Sequence, residues 1–145
     1  MLSRPDQPPE RAIRNPVSNG TGRALEPLFA PERHAVPADD VAAYGLESLT
    51  NLIVRRRHGD GPTIALNAHG DVVPPGDGWS HDPYGGEVAD GKLYGRASAV
   101  SKSDFASYTF ALRALEAVAR PTRGAIELHF TYDEEFGGEL GPGWL

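Results

Sequence analysis

The chain has 145 residues with 14 Lys+Arg against 20 Asp+Glu, a net charge of -6, and so lacks the basic footprint that binding a phosphate backbone requires. Its 39% hydrophobic and 23% charged residues are the mix of a folded globular chain, long enough for one domain with its own core. There is no cysteine, which excludes disulfides, thiolate zinc sites and a cysteine nucleophile, and no apolar run reaches membrane-spanning length.

The opening MLSRPDQPPERAIRNP has no apolar core of the kind a secretory leader needs, so a cytoplasmic location is the default expectation. Seven of the 13 prolines fall within residues 1–40. Proline removes a backbone donor and breaks helices, so residues 1–40 are expected to be mostly irregular and weakly packed. A short helix around Gly22 to Phe29 is compatible with the spacing. The remainder, 41–145, reads as the folded unit.

From Thr50 the pattern changes. Thr50-Asn-Leu-Ile-Val-Arg-Arg-Arg57 is β-branched at its centre and predicts a strand; His58-Gly-Asp-Gly-Pro62 is a turn cluster. Thr63-Ile-Ala-Leu-Asn-Ala68 is a short apolar run suited to a buried strand. Residues 70–86 form a long loop. Glu87–Ala89 and Lys92–Tyr94 flank Asp90-Gly91, the signature of a tight hairpin. Residues 102–119 predict a helix, with Phe105, Tyr108, Leu112 and Leu115 on one face, Phe110 and Val118 at its flanks, and Pro121 as the stop. Residues 124–132 predict a further strand with Ile126, Leu128 and Phe130 on one face. The order strand, strand, hairpin, helix, strand is an α/β layout with helix packed on sheet.

Two polar clusters directly follow two of these strands: His69-Gly70-Asp71 after 63–68, and Asp133-Glu134-Glu135 after 124–132. In open α/β sheets ligands gather beyond the carboxyl ends of strands, so parallel neighbours would bring the clusters together. A histidine with several carboxylates suits zinc, with manganese and cobalt as rivals. Asp71 is placed to orient the second ring nitrogen of His69. Of the adjacent glutamates, one can bind metal while the other takes a proton from water. Taken singly, His-Gly-Asp is more often a turn and Asp-Glu-Glu a solvated loop. Their matched positions bring the site reading level with the bland one.

The stretches NAHGDVVPPGDGWSHDPYGGEVADGKLYGRA, SKSDFASYTFALRALEA and TYDEEFGGELGPGWL, in this order, resemble the M20 metallopeptidase family. That family includes acetylornithine deacetylase, succinyl-diaminopimelate desuccinylase, aminoacylase and carboxypeptidase-type members. The resemblance runs from about Thr50 to Leu145. It implies that 41–145 is the N-terminal half of a metallohydrolase catalytic domain, an incomplete zinc-exopeptidase-like α/β sheet with a flanking helix. It implies that His69 binds metal, Asp71 orients it, Glu134 is the general base or acid, and Glu135 binds metal. The cofactor implied is zinc, with cobalt or manganese as alternatives. The substrate implied is a small peptide or N-acyl amino acid, with no nucleic acid or membrane partner.

The sequence departs from the family in three places. The family motif Gly-Arg-Gly-x-x-Asp-x-Lys carries an aspartate that bridges two metals, but Gly95-Arg-Ala-Ser-Ala-Val-Ser-Lys102 has Val100 there. One or two ions are therefore expected, and Val100 argues against the second. Asp104 is the nearby substitute, although Ser101-Lys-Ser-Asp104 reads more readily as a capping box. The opening amphipathic helix of the family is not supplied by residues 1–33. The family also continues for more than twice this length, through a further carboxylate ligand, a last histidine ligand and a lid domain that often dimerises. The expectation is thus an inactive fragment of a metal-dependent amide hydrolase; the alternative is a non-catalytic remnant or partner-binding module.

Several conspicuous residues have plainer roles. Trp79, Asp82, Pro83 and Tyr84 read as packing and turn residues of the loop after His69. Arg55, Arg56 and Arg57 read as a solvated strand end. His129 points away from the apolar face of its strand, and His81 lies in a loop beside Asp82. His34 and His58 carry no signal.

Overall fold

The computed structural model describes residues 24–118 and 121–145; the expectations for residues 1–23 and for residue 119 of the long helix lie outside the described residues. In chain order the elements are a helical stretch over 24–29 (α1), β1 (Glu32–Ala35), α2 (Ala38–Ala43), β2 (Thr50–Arg57), β3 (Thr63–His69), β4 (Glu87–Ala89), β5 (Lys92–Tyr94), α3 (Lys102–Val118) and β6 (Ala125–Thr131). A 3-10 turn over Glu134–Phe136 follows β6.

The fold is mixed α/β. The main sheet has the order β1-β2-β6-β3. β2 pairs antiparallel with β6, placing Leu52 opposite Phe130 and Val54 opposite Leu128. β3 runs parallel to β6 on the other side, with Leu66 opposite Leu128 and His69 opposite Thr131. Parallel strands need a long crossover, and here α3 lies within it. β4 and β5 form a separate hairpin. Its turn residues Asp90 and Gly91 have φ of 51° and 72°, as the tight turn with two left-handed positions demands.

One face of the sheet is apolar. Leu52, Val54, Leu128 and Phe130 are buried there in one cluster with Leu112 of α3 and Leu25 and Phe29 of α1. The Phe105 ring of α3 meets Phe130 at 4.5 Å between centroids. Leu112 is buried, and Phe105, Tyr108 and Leu115 are half-buried, so the expected helix face is the one that packs. Phe110 and Val118 turn to solvent instead, away from the packed face of the helix.

The other face carries charge. Arg55 bonds Glu32 and Glu127, and His129 bonds Glu127 at 2.9 Å. His129 and Arg55 together hold the Glu127 carboxyl below its usual range. Arg57 lies near Asp60, while Arg56 falls at the end of the apolar face, where it pairs with Glu116 of α3 and sits over the Phe29 ring. The basic run is thus absorbed by ion pairs along the sheet.

The expectation of irregular, weakly packed chain up to residue 40 needs correction over its described part. Residues 24–40 contain α1, β1 and the start of α2, and Leu25, Phe29 and Val36 are buried. Pro31 and Pro37 stand just before β1 and α2, where proline is tolerated, and Pro27 lies within the helical stretch over 24–29. No helix among the described residues is long and apolar enough to cross a membrane.

Leu128 is fully buried on a strand paired on both sides. Leu128→Ala is expected to lower unfolding free energy by about 2–5 kcal/mol in urea denaturation, the range for a buried leucine that leaves a cavity. A loss below about 1 kcal/mol would mean that the sheet centre is not the core.

Candidate metal centre

The parallel register puts the ends of β3 and β6 side by side, and the chain leaves both strands at the same edge. His69 is the last residue of β3. The Gly70 N–H continues the pairing by donating to Thr131 O at 2.9 Å. Beyond Thr131 the buried Tyr132 and Asp133 lead into the turn that carries Glu134 and Glu135.

Asp133 holds that turn. Its carbonyl accepts the N–H groups of Phe136 (3.2 Å) and Gly138 (2.8 Å), and its Oδ2 accepts the Leu140 N–H at 2.8 Å. Asn51 of β2 donates to the Leu140 carbonyl at 2.9 Å. The segment is therefore tied back to the sheet from both sides. The sequence named Asp133 only as a member of the Asp-Glu-Glu cluster and gave it no role of its own; the signal it offered was its place as the first polar residue after an apolar strand.

His69 is nearly buried, and its two ring nitrogens face different partners. Nδ1 lies 3.4 Å from Asp71 Oδ1, close enough for an ion-pair contact though outside hydrogen-bond geometry. Nε2 lies 3.6 Å from Glu134 Oε2. Asp71 is buried, and its Oδ2 accepts the backbone N–H of Glu135 at 3.0 Å. One carboxylate thus touches both clusters. Among the described residues, His69, Glu134 and Glu135 form a group whose potential ligand atoms all lie within 4.8 Å of one another. One nitrogen and two carboxylate oxygens are a donor set that suits zinc, cobalt or manganese. The His69 Nδ1 and Asp71 Oδ1 atoms are buried and neither has a hydrogen-bond partner among the described residues, while Nε2 faces Glu134.

Lys102 opens α3 beside this group. Burial lowers its ammonium below the usual lysine range; Asp71 pulls it back up, Arg96 adds to the drop, and Glu135 opposes it. Val100, at the position where the resemblance implies a bridging aspartate, is 69% exposed and offers no ligand. Asp104 does not replace it: its Oδ2 accepts the Ser101 hydroxyl at 3.0 Å, and its own N–H donates to Ser101 O at 2.9 Å. This differs from the expected capping box, in which the serine oxygen would take the Asp104 N–H. Here the two side chains bond to each other.

The remaining sequence candidates lie apart from the group. His81 bonds Glu87 at 2.9 Å and stacks on Tyr94, tying its loop to the hairpin. Asp82 accepts the Tyr84 N–H at 2.9 Å, and Trp79 donates to Pro75 O, so these residues build turns. His129 lies on the charged face of the sheet with Glu127.

A mixed α/β sheet whose parallel strand ends deliver a histidine and two glutamates to one edge defines an α/β protein with the makings of a metal centre. The chain belongs to Peptidase family M20/M25/M40, whose model matches residues 65–145. It is 42% identical over 89 residues to a succinyl-diaminopimelate desuccinylase of Wolinella succinogenes, covering 61% of this chain and 23% of that protein. The desuccinylase of Rhodospirillum rubrum is 43% identical over 102 residues, 64% of this chain and 26% of its own. That of Cereibacter sphaeroides is 45% identical over 89 residues, 59% and 23% respectively. The chain spans about a quarter of the length of these curated relatives.

Gly70 separates His69 from Asp71 at a point of close approach. A Cβ there would lie 2.6 Å from Tyr132 Cε1 and 3.1 Å from Phe105 Cε2. Gly70→Ala is expected to cost about 1–3 kcal/mol by overpacking, measured by chemical denaturation. Wild-type stability in Gly70→Ala would show that the two rings yield without cost.

Proposed function

We propose that this chain contributes a metal-binding and proton-transfer segment to an amide hydrolase, with His69 and Glu135 as ligands, Asp71 orienting His69 and Glu134 as general base and acid. The observation that carries this reading is the convergence of His69 Nε2 with both glutamates while Asp71 occupies the Nδ1 side. The substrate class is an N-acyl amino acid, in the first instance an N-succinyl diamino acid, because the relatives are desuccinylases. A bound zinc, cobalt or manganese ion supplies Lewis-acid polarisation of the amide carbonyl and of water.

The chain's own residues do the rest. Asp71 holds His69 in one orientation through the ring and Glu135 in another through the backbone, so both ligands are set by one buried group. Glu134 is exposed and 3.6 Å from His69 Nε2, which leaves its carboxylate able to reach water at the centre. It takes a proton from the attacking water and returns it to the leaving amine nitrogen. Val100 supports occupancy by one ion rather than two.

Titration of zinc, cobalt or manganese into the 145-residue chain is expected to show one ion per chain. His69→Ala and Glu135→Ala should each weaken binding at least about tenfold, as loss of a ligand or its orienting partner does. Glu134→Ala should retain binding; an equally steep loss there would make Glu134 a third ligand and not the base. The absence of His69-dependent ion binding would leave the partner-binding reading.

With Glu134 as base, the described residues provide two ligands, whereas catalytic zinc uses three protein ligands and a water. The chain by itself is therefore expected to hydrolyse no N-succinyl or N-acetyl amino acid at a measurable rate. Metal-dependent turnover that disappears in Glu134→Ala would overturn this and identify a complete site.

A further inference from the structure

Among the described residues, β3 has β6 as its one neighbour. Backbone groups alternate in direction along a strand. The Gly70 N–H points to β6, where Thr131 O accepts it. The N–H of His69 therefore points away from β6. Its acceptor is Ser101 Oγ, at 3.4 Å.

Ser101 is suited to this place. It is 6% exposed, so solvent reaches it poorly. Its hydroxyl proton is committed to Asp104 Oδ2 at 3.0 Å. A carboxylate only accepts, so the serine oxygen turns its lone pairs to His69. Asp104 is fixed in turn by its N–H to Ser101 O at 2.9 Å. The first turn of α3 thus presents one oriented acceptor to the end of β3.

We propose that Ser101 and Asp104 form a brace that positions His69 by holding its backbone N–H on the side away from β6. Its bearing on metal rests on the role given to His69 under the proposed function; the brace itself does not. The stretch that replaces a bridging ligand with Val100 then serves the centre by holding the histidine rather than by ligating.

The test uses the isotope-labelled 145-residue chain, with amide hydrogen exchange at His69 and cobalt titration as separate readouts. In Ser101→Ala, His69 exchange should accelerate about tenfold or more while amides at the middle of β6 keep their rates, and cobalt affinity should fall about tenfold. Ser101→Thr, which keeps the hydroxyl, should restore both. Asp104→Ala, remote from the ligands, should accelerate His69 exchange to a lesser degree, and it decides the matter if Ser101→Ala fails to fold. Unchanged His69 exchange in Ser101→Ala, or in Asp104→Ala where that variant decides, would overturn the brace. Faster exchange with unaltered cobalt affinity would overturn its link to the metal. A wild-type chain without His69-dependent cobalt binding would sink the metal reading alone, with exchange still deciding the brace.

Discussion

The register of β3 against β6 is the constraint on which the rest of the structure depends. Pairing His69 with Thr131 brings two strands, far apart in sequence, to a common end and sends both chains out of the sheet at one edge. The same register aligns Leu66 with Leu128 and Ala68 with Phe130, so the apolar face and the polar edge are fixed together. A slip of one residue would invert every side chain of β3. It would remove Leu66 from the cluster that Leu112 and Leu128 define, and turn the His69 ring away from the glutamates. Core packing thereby constrains the geometry of the centre, to which Tyr132 and Leu140 connect it.

The strands and the hairpin were legible because each sends a local signal: a β-branched run, a turn cluster, an Asp-Gly pair. The His-Gly-Asp and Asp-Glu-Glu clusters were legible because they stand immediately after such strands, and the parallel pairing then places them together. β1 was not legible. Glu32–Ala35 has one small apolar residue and two charges, and it becomes a strand by pairing with β2 and by the Arg55–Glu32 contact. Only tertiary context supplies those. α2 escaped notice for a similar reason, since six residues with Asp39 and Asp40 carry one buried side chain, Val41. Proline density misled over residues 24–40, because prolines at the starts of elements punctuate structure rather than forbid it.

The bond between Ser101 and Asp104 shows a finer limit. The sequence spacing identified a helix start correctly, and the same spacing is satisfied by two different hydrogen-bond patterns. Which one forms depends on what else the serine oxygen meets. Here it meets the His69 N–H at the end of β3, information that lies 32 residues away in the chain.

Four carboxylates crowd this edge, and burial divides their work. Asp71 and Asp133 are buried, 9% and 1% exposed, and each accepts a backbone N–H from the turn that carries the glutamates: Asp71 from Glu135, Asp133 from Leu140. Burying a carboxylate is costly unless it is hydrogen-bonded, so these two are held to structural tasks by the bonds that compensate them. Glu134 and Glu135 are exposed, and no backbone donor engages their oxygens in the same way. They remain free to turn toward a cation. Lys102, half-buried beside Asp71 and Glu135, offsets part of the negative charge without closing an ion pair on either. The fixed pair holds the path of the turn, and the free pair stands at its rim.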